Sequence, residues 1–229
     1  MKYFKFYSDK KYNVEAVTKF KFFACLASKL NDPDEGKVGI PFLEYEAKAN
    51  ESMQQARTRR SVVSFFRAES RKEMVTSSYM WANYANYDKG FCVEYNEKIF
   101  EGLTQLKGSK CPHLTEDVYL DVEYGPELIV SSEIGQLNYM DDTLGHKRKK
   151  WEVEQETRLV FRYPPIKGKG EKLENGALIP ISGQKDAFSA LYIGAFTPDD
   201  IRIALVDFCH KYDIPCFQMQ ISKKRIYNN

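Results

Sequence analysis

The stretch Ser77–Tyr95, SSYMWANYANYDKGFCVEY, decides the reading of this chain. Ser77 or Ser78 offers a hydroxyl to cap a short helix, and Lys89-Gly90 stands where a left-handed C-cap would stop it. Phe91, Val93 and Tyr95 then alternate with Cys92 and Glu94, the period of a half-buried strand. A helix, a glycine stop and a strand are expected here. Along the helix Met80, Trp81, Tyr84 and Tyr87 recur at helical spacing and share about half of the circumference, with Asn83 and Asn86 between them. Such a set serves either as an aromatic core stripe, whose N–H and O–H groups find partners, or as a pocket wall for a flat ligand such as a base or a nicotinamide ring.

The composition bounds what surrounds this unit. The chain has 229 residues and no Gly/Ser/Pro-rich linker, so a single domain over 1–229 is expected. Hydrophobic residues make up 43% and aromatics 14%, enough for a sizeable core, and no run is long enough to span a bilayer. The opening MKYFKFYSDKKY is basic but lacks the apolar centre of a signal peptide, so export is not expected and a cytoplasmic protein is. Its cysteines, Cys25, Cys92, Cys111, Cys209 and Cys216, are odd in number and contain no C-x-x-C pair, which argues for reduced thiols and no metal. A net charge of +2 does not imply a nucleic-acid partner, although the local runs Arg57–Arg60 and Lys147–Trp151 could touch phosphates and stack a base.

In chain order, Tyr3–Tyr7 reads as a first strand with Lys5 and Tyr7 on the face opposite Phe4 and Phe6. A short helix from Asn13 to about Lys19 and a strand Phe20–Ala27 follow. Asn31-Asp32-Pro33 is a rigid turn whose short polar side chains either bond nearby backbone or face a pocket. A polar helix over Glu44–Arg60, ending in a solvated basic cluster, leads to a buried strand Ser61–Phe66 and a charged loop Arg67–Glu73. Beyond the central unit, helices are expected over Glu97–Leu106 and Glu133–Asp142. His113 lies in an irregular stretch as a surface residue. The cleanest alternation in the chain marks Val118–Tyr124 as a strand.

Trp151-Glu152-Val153-Glu154-Gln155-Glu156-Thr157-Arg158 is the second stretch that points to chemistry. If Gln155 onward is a strand, Thr157, Leu159 and Phe161 face the core, while Glu154, Glu156 and Arg158 share the other face. This is either a cross-strand charge pattern or a carboxylate site that orients a sugar hydroxyl or stabilises a cationic transition state, with the arginine holding it ionised. The tail reads as a strand Leu191–Phe196, a Thr197-Pro198 helix start, a helix to about Tyr212 and a last strand Cys216–Ile221. The fold class expected is α+β: a mixed, mostly antiparallel sheet with flanking helices and a C-terminal strand-helix-strand unit.

Together the Tyr3–Tyr7 strand, the Asn31-Asp32-Pro33 turn, Met80-Trp81-x-x-Tyr84-Ala85 with Lys89-Gly90-Phe91-Cys92, and Trp151-x-x-Glu154-x-Glu156-x-Arg158 resemble the bacterial domain-of-unknown-function family numbered 2971 over nearly the whole chain. The chain departs from that pattern at Tyr7, where the family has arginine, and at Ser64-Phe65-Phe66, where it has Cys-Phe-Ser. A weaker, fold-level resemblance to ADP-ribosyltransferases implies NAD as substrate. It implies Glu154 or Glu156 as the catalytic carboxylate and Lys5 or Tyr7, Trp81 and Tyr84 as ligand-binding candidates; the charge pattern of the strand adds Arg158 to the catalytic set, and the turn adds Asn31 and Asp32 to the ligand-binding set. On that reading the protein transfers ADP-ribose to a macromolecular acceptor, or hydrolyses NAD, as a toxin or defence effector. The competing readings are a nucleic-acid-binding or nucleic-acid-processing protein and a non-catalytic ligand-binding module.

Overall fold

The computed structural model describes residues 1–30, 51, 54–106, 116–125 and 144–220, and the backbone of 38–39 and 129–130. Its principal elements, in chain order, are β1 (Lys2–Tyr7), α1 (Lys11–Thr18), β2 (Lys21–Leu26), β3 (Arg60–Ala68), α2 (Arg71–Thr76), α3 (Ser78–Tyr84) and β4 (Phe91–Tyr95). There follow β5 (Val118–Asp121), β6 (Glu156–Arg162), β7 (Gly176–Pro180), β8 (Phe188–Ile193), α4 (Asp199–Tyr212) and β9 (Cys216–Gln218). The ladders are mixed and mostly antiparallel, as expected. No helix among the described residues is long and apolar enough to cross a membrane.

The chain divides into two compact units built from interleaved segments. The first takes Met1–Lys21, Phe65–Ile99 and the chain from Ile181 onward; the second takes the described parts of Phe22–Ser64 and Phe100–Pro180.

In the first unit β1 is paired antiparallel on both sides, with the end of β3 (Phe4 opposite Phe66) and with β4 (Phe4 opposite Glu94, Tyr7 opposite Phe91). β8 extends the ladder antiparallel to β4, and β9 adds parallel to β8. A parallel neighbour needs a crossover, and α4 supplies it, which is the strand-helix-strand unit the tail announces. Strand alternation places Lys2, Phe4 and Phe6 on one face and Tyr3, Lys5 and Tyr7 on the other. On the Phe4/Phe6 face a core forms from Phe66, Met74, Met80, Trp81, Cys92 and Tyr192.

The helix-glycine-strand expectation holds for order and not for mechanism. Ser77 caps α3 by accepting from the Met80 amide at 3.4 Å. The left-handed residues that end the helical region are Asn86, Tyr87 and Asp88, whereas Gly90 has no positive φ. Gly90 is needed for proximity instead: a Cβ there would overlap the Tyr7 carbonyl oxygen across the β1–β4 ladder. The loop expected over Arg67–Glu73 is also revised. β3 continues to Ala68, and Ser70 caps α2 by accepting from the Glu73 amide at 3.3 Å, while the Glu73 carboxylate accepts from the Glu69 amide at 3.3 Å.

In the second unit β2 pairs antiparallel with the start of β3 (Cys25 opposite Val62), and β6 pairs with β3 and antiparallel with β5 (Thr157 opposite Asp121). Ala27, Val62, Leu106, Val118, Leu120, Val122, Leu144 and Val160 form its core. The expected helix over Glu97–Leu106 is a single turn at Glu97–Phe100 followed by a two-residue strand, Thr104–Gln105. Asn31, Asp32, His113, the helix expected over Glu133–Asp142 and most of that over Glu44–Arg60 lie outside the described residues.

Candidate functional site

Glu154, Glu156 and Arg158 are brought together in the second unit, but not on one face of a strand. Glu154 ends a 3-10 helix, Lys149–Glu154, and Gln155 turns the chain in the left-handed region at φ 40° before β6 begins. Glu154, Glu156 and Arg158 are all buried, and so is Lys147. The Lys147 ammonium sits 2.7 Å from Glu154 and 2.9 Å from Glu156, and Arg158 reaches Glu156 at 2.8 Å. Arg158 also donates to the Leu144 carbonyl at 2.8 Å, and the Glu156 amide donates to the Tyr124 hydroxyl at 2.7 Å.

Burial alone would raise the Glu156 pKa. The charges of Arg158 and Lys147, with hydrogen bonds from Arg158 and Ser64, reverse that and lower it from 4.5 to about 2. Two buried carboxylates and two buried cations thus balance one another. The arginine does hold the carboxylate ionised, as the sequence suggests. The second cation, Lys147, sits inside a run whose exposed reading gave no sign of it.

The basic runs change meaning throughout this unit. Arg57, expected at a solvated helix end, is buried and donates to the Ala27 carbonyl from Nε at 3.1 Å and Nη2 at 2.6 Å. Arg60, also buried, donates to the Glu116 carbonyl at 3.1 Å. Lys147 and Lys150 lie over the Trp151 ring at 5.3 and 5.4 Å. Buried backbone carbonyls need donors, and a guanidinium supplies several in one fixed fork.

In the first unit the ligand-binding candidates fall on two faces of the β1–β4 ladder. Tyr7 is buried, stacks on Phe91 at 4.9 Å and hydrogen-bonds the Tyr95 hydroxyl at 3.1 Å. Burial pushes both phenols well above their ordinary value. Lys5 lies over the Tyr7 and Phe65 rings at 5.4 and 5.8 Å. On the other face Trp81 is buried edge-to-face against Phe6 at 5.2 Å and donates its indole N–H to the Met74 carbonyl at 3.1 Å. This is how a core tryptophan is satisfied. Tyr84 is half-buried beside Tyr79, and Tyr87 is exposed.

The same face carries Glu94, the charged residue of the β4 alternation. It is 1% exposed at mid-ladder. Its carboxylate accepts from Lys2 Nζ at 2.6 Å, from Arg71 Nε at 2.7 Å and Nη2 at 3.4 Å, and from the Tyr192 hydroxyl at 2.7 Å. Desolvation opposes ionisation, but hydrogen bonds from Arg71, Lys2 and Tyr192 outweigh it and lower the Glu94 pKa. The two cations remain open to solvent, Lys2 at 37% and Arg71 at 46%. Arg71 lies over the half-exposed Phe217 ring at 5.9 Å, and Phe217 stacks on Tyr192 at 5.3 Å. A buried carboxylate therefore orients a lysine and an arginine along one rim, where Phe217 stands exposed on the buried Tyr192. The signal lies in the alternation of β4, which puts a charged residue opposite Phe4 on the face that carries the Phe6, Phe66 and Trp81 core.

Among the described residues no group of three or more potential metal ligands occurs. No curated protein and no solved structure matches the chain. A family model does match part of it: residues 80–159, which include most of α3, β4 and the Glu154–Glu156–Arg158 stretch, fit the family described as Protein of unknown function (DUF2971).

Proposed function

We propose that the protein binds a nucleotide-type anionic ligand, NAD first among the candidates, at the rim formed by Lys2, Arg71, Tyr192 and Phe217 around Glu94. The observation that carries this reading is the charge count at Glu94. Among the described residues one buried carboxylate faces two cations, both partly solvated, so the rim holds an excess positive charge beside an exposed ring. The guanidinium keeps donors beyond the two that Glu94 uses, and these suit a phosphate, while Phe217 suits a base.

The enzymatic form of the reading, an ADP-ribosyltransferase-like NAD-consuming activity, needs a carboxylate at the ribose as positive charge develops there. Glu94 and Glu156 both carry the required ionisation, but their oxygens already accept from lysine, arginine and a hydroxyl group. Binding is therefore the primary claim, and cleavage of the nicotinamide-ribose bond is its second arm. The nucleic-acid reading is disfavoured by the burial of Arg57, Arg60 and Lys147, three residues of the basic runs that motivated it.

Isothermal titration of the full chain with NAD, ADP and inorganic phosphate tests the proposal, alongside Arg71→Ala and Phe217→Ala. NAD or ADP should bind, Arg71→Ala should weaken binding about tenfold or more, and Phe217→Ala should weaken the nucleotides but not phosphate. Absence of binding at millimolar nucleotide, or binding indifferent to Arg71, overturns it. Nicotinamide release from NAD, followed in parallel with and without an added lysate, separates an enzyme from a binding module.

A further inference from the structure

We propose that Cys209 and Cys216 form a dithiol that a hydroperoxide oxidises to an intramolecular disulfide, tying the C-terminal end of α4 to β9. Six residues separate the two cysteines, and the chain between them doubles back. Asp213 takes the left-handed conformation at φ 55°, and the Ile214 amide donates to the Cys209 carbonyl at 2.9 Å. β9 then runs parallel to β8, Leu191 opposite Cys216, and the Leu191 amide is bonded to the Pro215 carbonyl at 2.8 Å. This fold-back sets the exposed Cys216 two residues beyond the Ile214 amide that bonds the buried Cys209, near enough for the two thiols to interact.

The pair is asymmetric in the way a redox dithiol requires. The interaction between the two thiols lowers the Cys216 pKa and raises that of Cys209. The exposed sulfur is thus the nucleophile and the buried one the resolving thiol. Attack of the Cys216 thiolate on the outer oxygen of a hydroperoxide, R–OOH, breaks the O–O bond, gives a sulfenic acid and releases R–OH once the alkoxide takes up a proton. Attack of the Cys209 sulfur on the sulfenic sulfur then forms the S–S bond and expels the hydroxyl group as water, taking the Cys209 proton with it. Two thiols lose two electrons and two protons, and the peroxide is reduced to R–OH and water. The other described thiols do not share this setting. Cys92 is sealed in the core, its pKa pushed up by burial, and Cys25 is half-buried against the Leu26 and Lys29 carbonyls.

Phe217 follows Cys216 and belongs to the Glu94 rim, so closing the disulfide also restrains a residue of the proposed ligand site. That consequence rests on the nucleotide-binding reading; the disulfide itself does not. The test treats the reduced full chain with hydrogen peroxide, alkylates the remaining thiols, digests with trypsin and maps the products by mass spectrometry. Trypsin cuts after Lys211, so the two cysteines leave on separate peptides unless bonded. The expected result is a cross-linked Cys209–Cys216 peptide pair that dithiothreitol separates. Cys216→Ser should abolish it, and in Cys209→Ala the Cys216 sulfur should stop at a dimedone-trappable sulfenic acid. Accumulation of Cys216 as sulfinic acid, or its pairing with any other cysteine while Cys209 stays reduced, overturns the proposal. Nucleotide titration of the oxidised and reduced forms is read separately, so failure of the ligand reading leaves the disulfide map intact.

Discussion

Replacing Lys147 by methionine removes the cation that Glu154 and Glu156 share at 2.7 and 2.9 Å, with little change in side-chain volume. Breaking a buried ion pair from one side costs about 3–5 kcal/mol, because the remaining charge stays in a medium that solvates it poorly. The native cluster gives an independent figure. Lowering the Glu156 pKa from 4.5 to about 2 in the folded state corresponds to about 3 kcal/mol of stability. Since the folded pKa is depressed, this stability is fully present above the unfolded carboxylate pKa. It drains away as pH falls from about 5 toward 2. In Lys147→Met the folded Glu156 pKa rises, so the variant has less to lose on acidification.

Urea unfolding at pH 7 and at pH 3.5 should therefore show a gap of about 3–5 kcal/mol between native and variant at neutral pH and a clearly smaller gap in acid. Lys149→Met, at a solvated lysine two residues away, should stay within about 0.5 kcal/mol at both. A neutral-pH gap below about 1 kcal/mol, or a gap independent of pH, would refute the account of this cluster as a mutually compensated ion network.

Three further outcomes follow from the first unit. Gly90→Ala should destabilise by more than about 2 kcal/mol in chemical denaturation, since its methyl must displace the Tyr7 carbonyl from the β1–β4 ladder. Trp81→Phe should cost about 2–3 kcal/mol by leaving the Met74 carbonyl short of its indole donor and a void beside Phe6, measured in the same way. Glu94→Gln should flatten the acid limb of the stability curve: the native Glu94 pKa is lowered, so its contribution is lost on acidification, and the amide has none to lose. A variant that keeps the native acid limb would assign that limb to other carboxylates.

Much of the ladder was legible in the sequence because strand and helix periods are local. The alternation of Tyr3–Tyr7 and Phe91–Tyr95, the run Ser61–Phe66 and the Pro198 helix start fell on β1, β4, β3 and α4. The Ser70-x-x-Glu73 box is equally local, but the charges around it read as a loop until its two caps are seen to close. Other features were not local. That Gly90 must clear Tyr7 depends on a register between strands more than eighty residues apart in sequence. That Lys147 is buried while Lys149 is solvated depends on where Glu154 and Glu156 close, which no charge count along the chain reveals. A run of basic residues fixes only how much charge is present, and burial decides what that charge is for.

The two carboxylate clusters differ in a way that orders the search for function. Glu154 and Glu156 meet two buried cations, so the charges of that group are spent within the fold and its measurable consequence is stability. Glu94 is equally buried but draws in a lysine and an arginine whose outer surfaces remain solvated, beside a half-exposed phenylalanine. A carboxylate in that position acts through the cations it orients, lowering the entropy they would otherwise lose on gripping an anion. Glu94→Gln weakens that orientation while leaving Arg71 and Phe217 in place, so it should lower nucleotide affinity through Arg71 without abolishing the stacking contribution of Phe217. In a chain already carrying Lys2→Ala and Arg71→Ala, adding Glu94→Gln should then cause no further loss, and a further loss would show that Glu94 acts on the ligand by some other route.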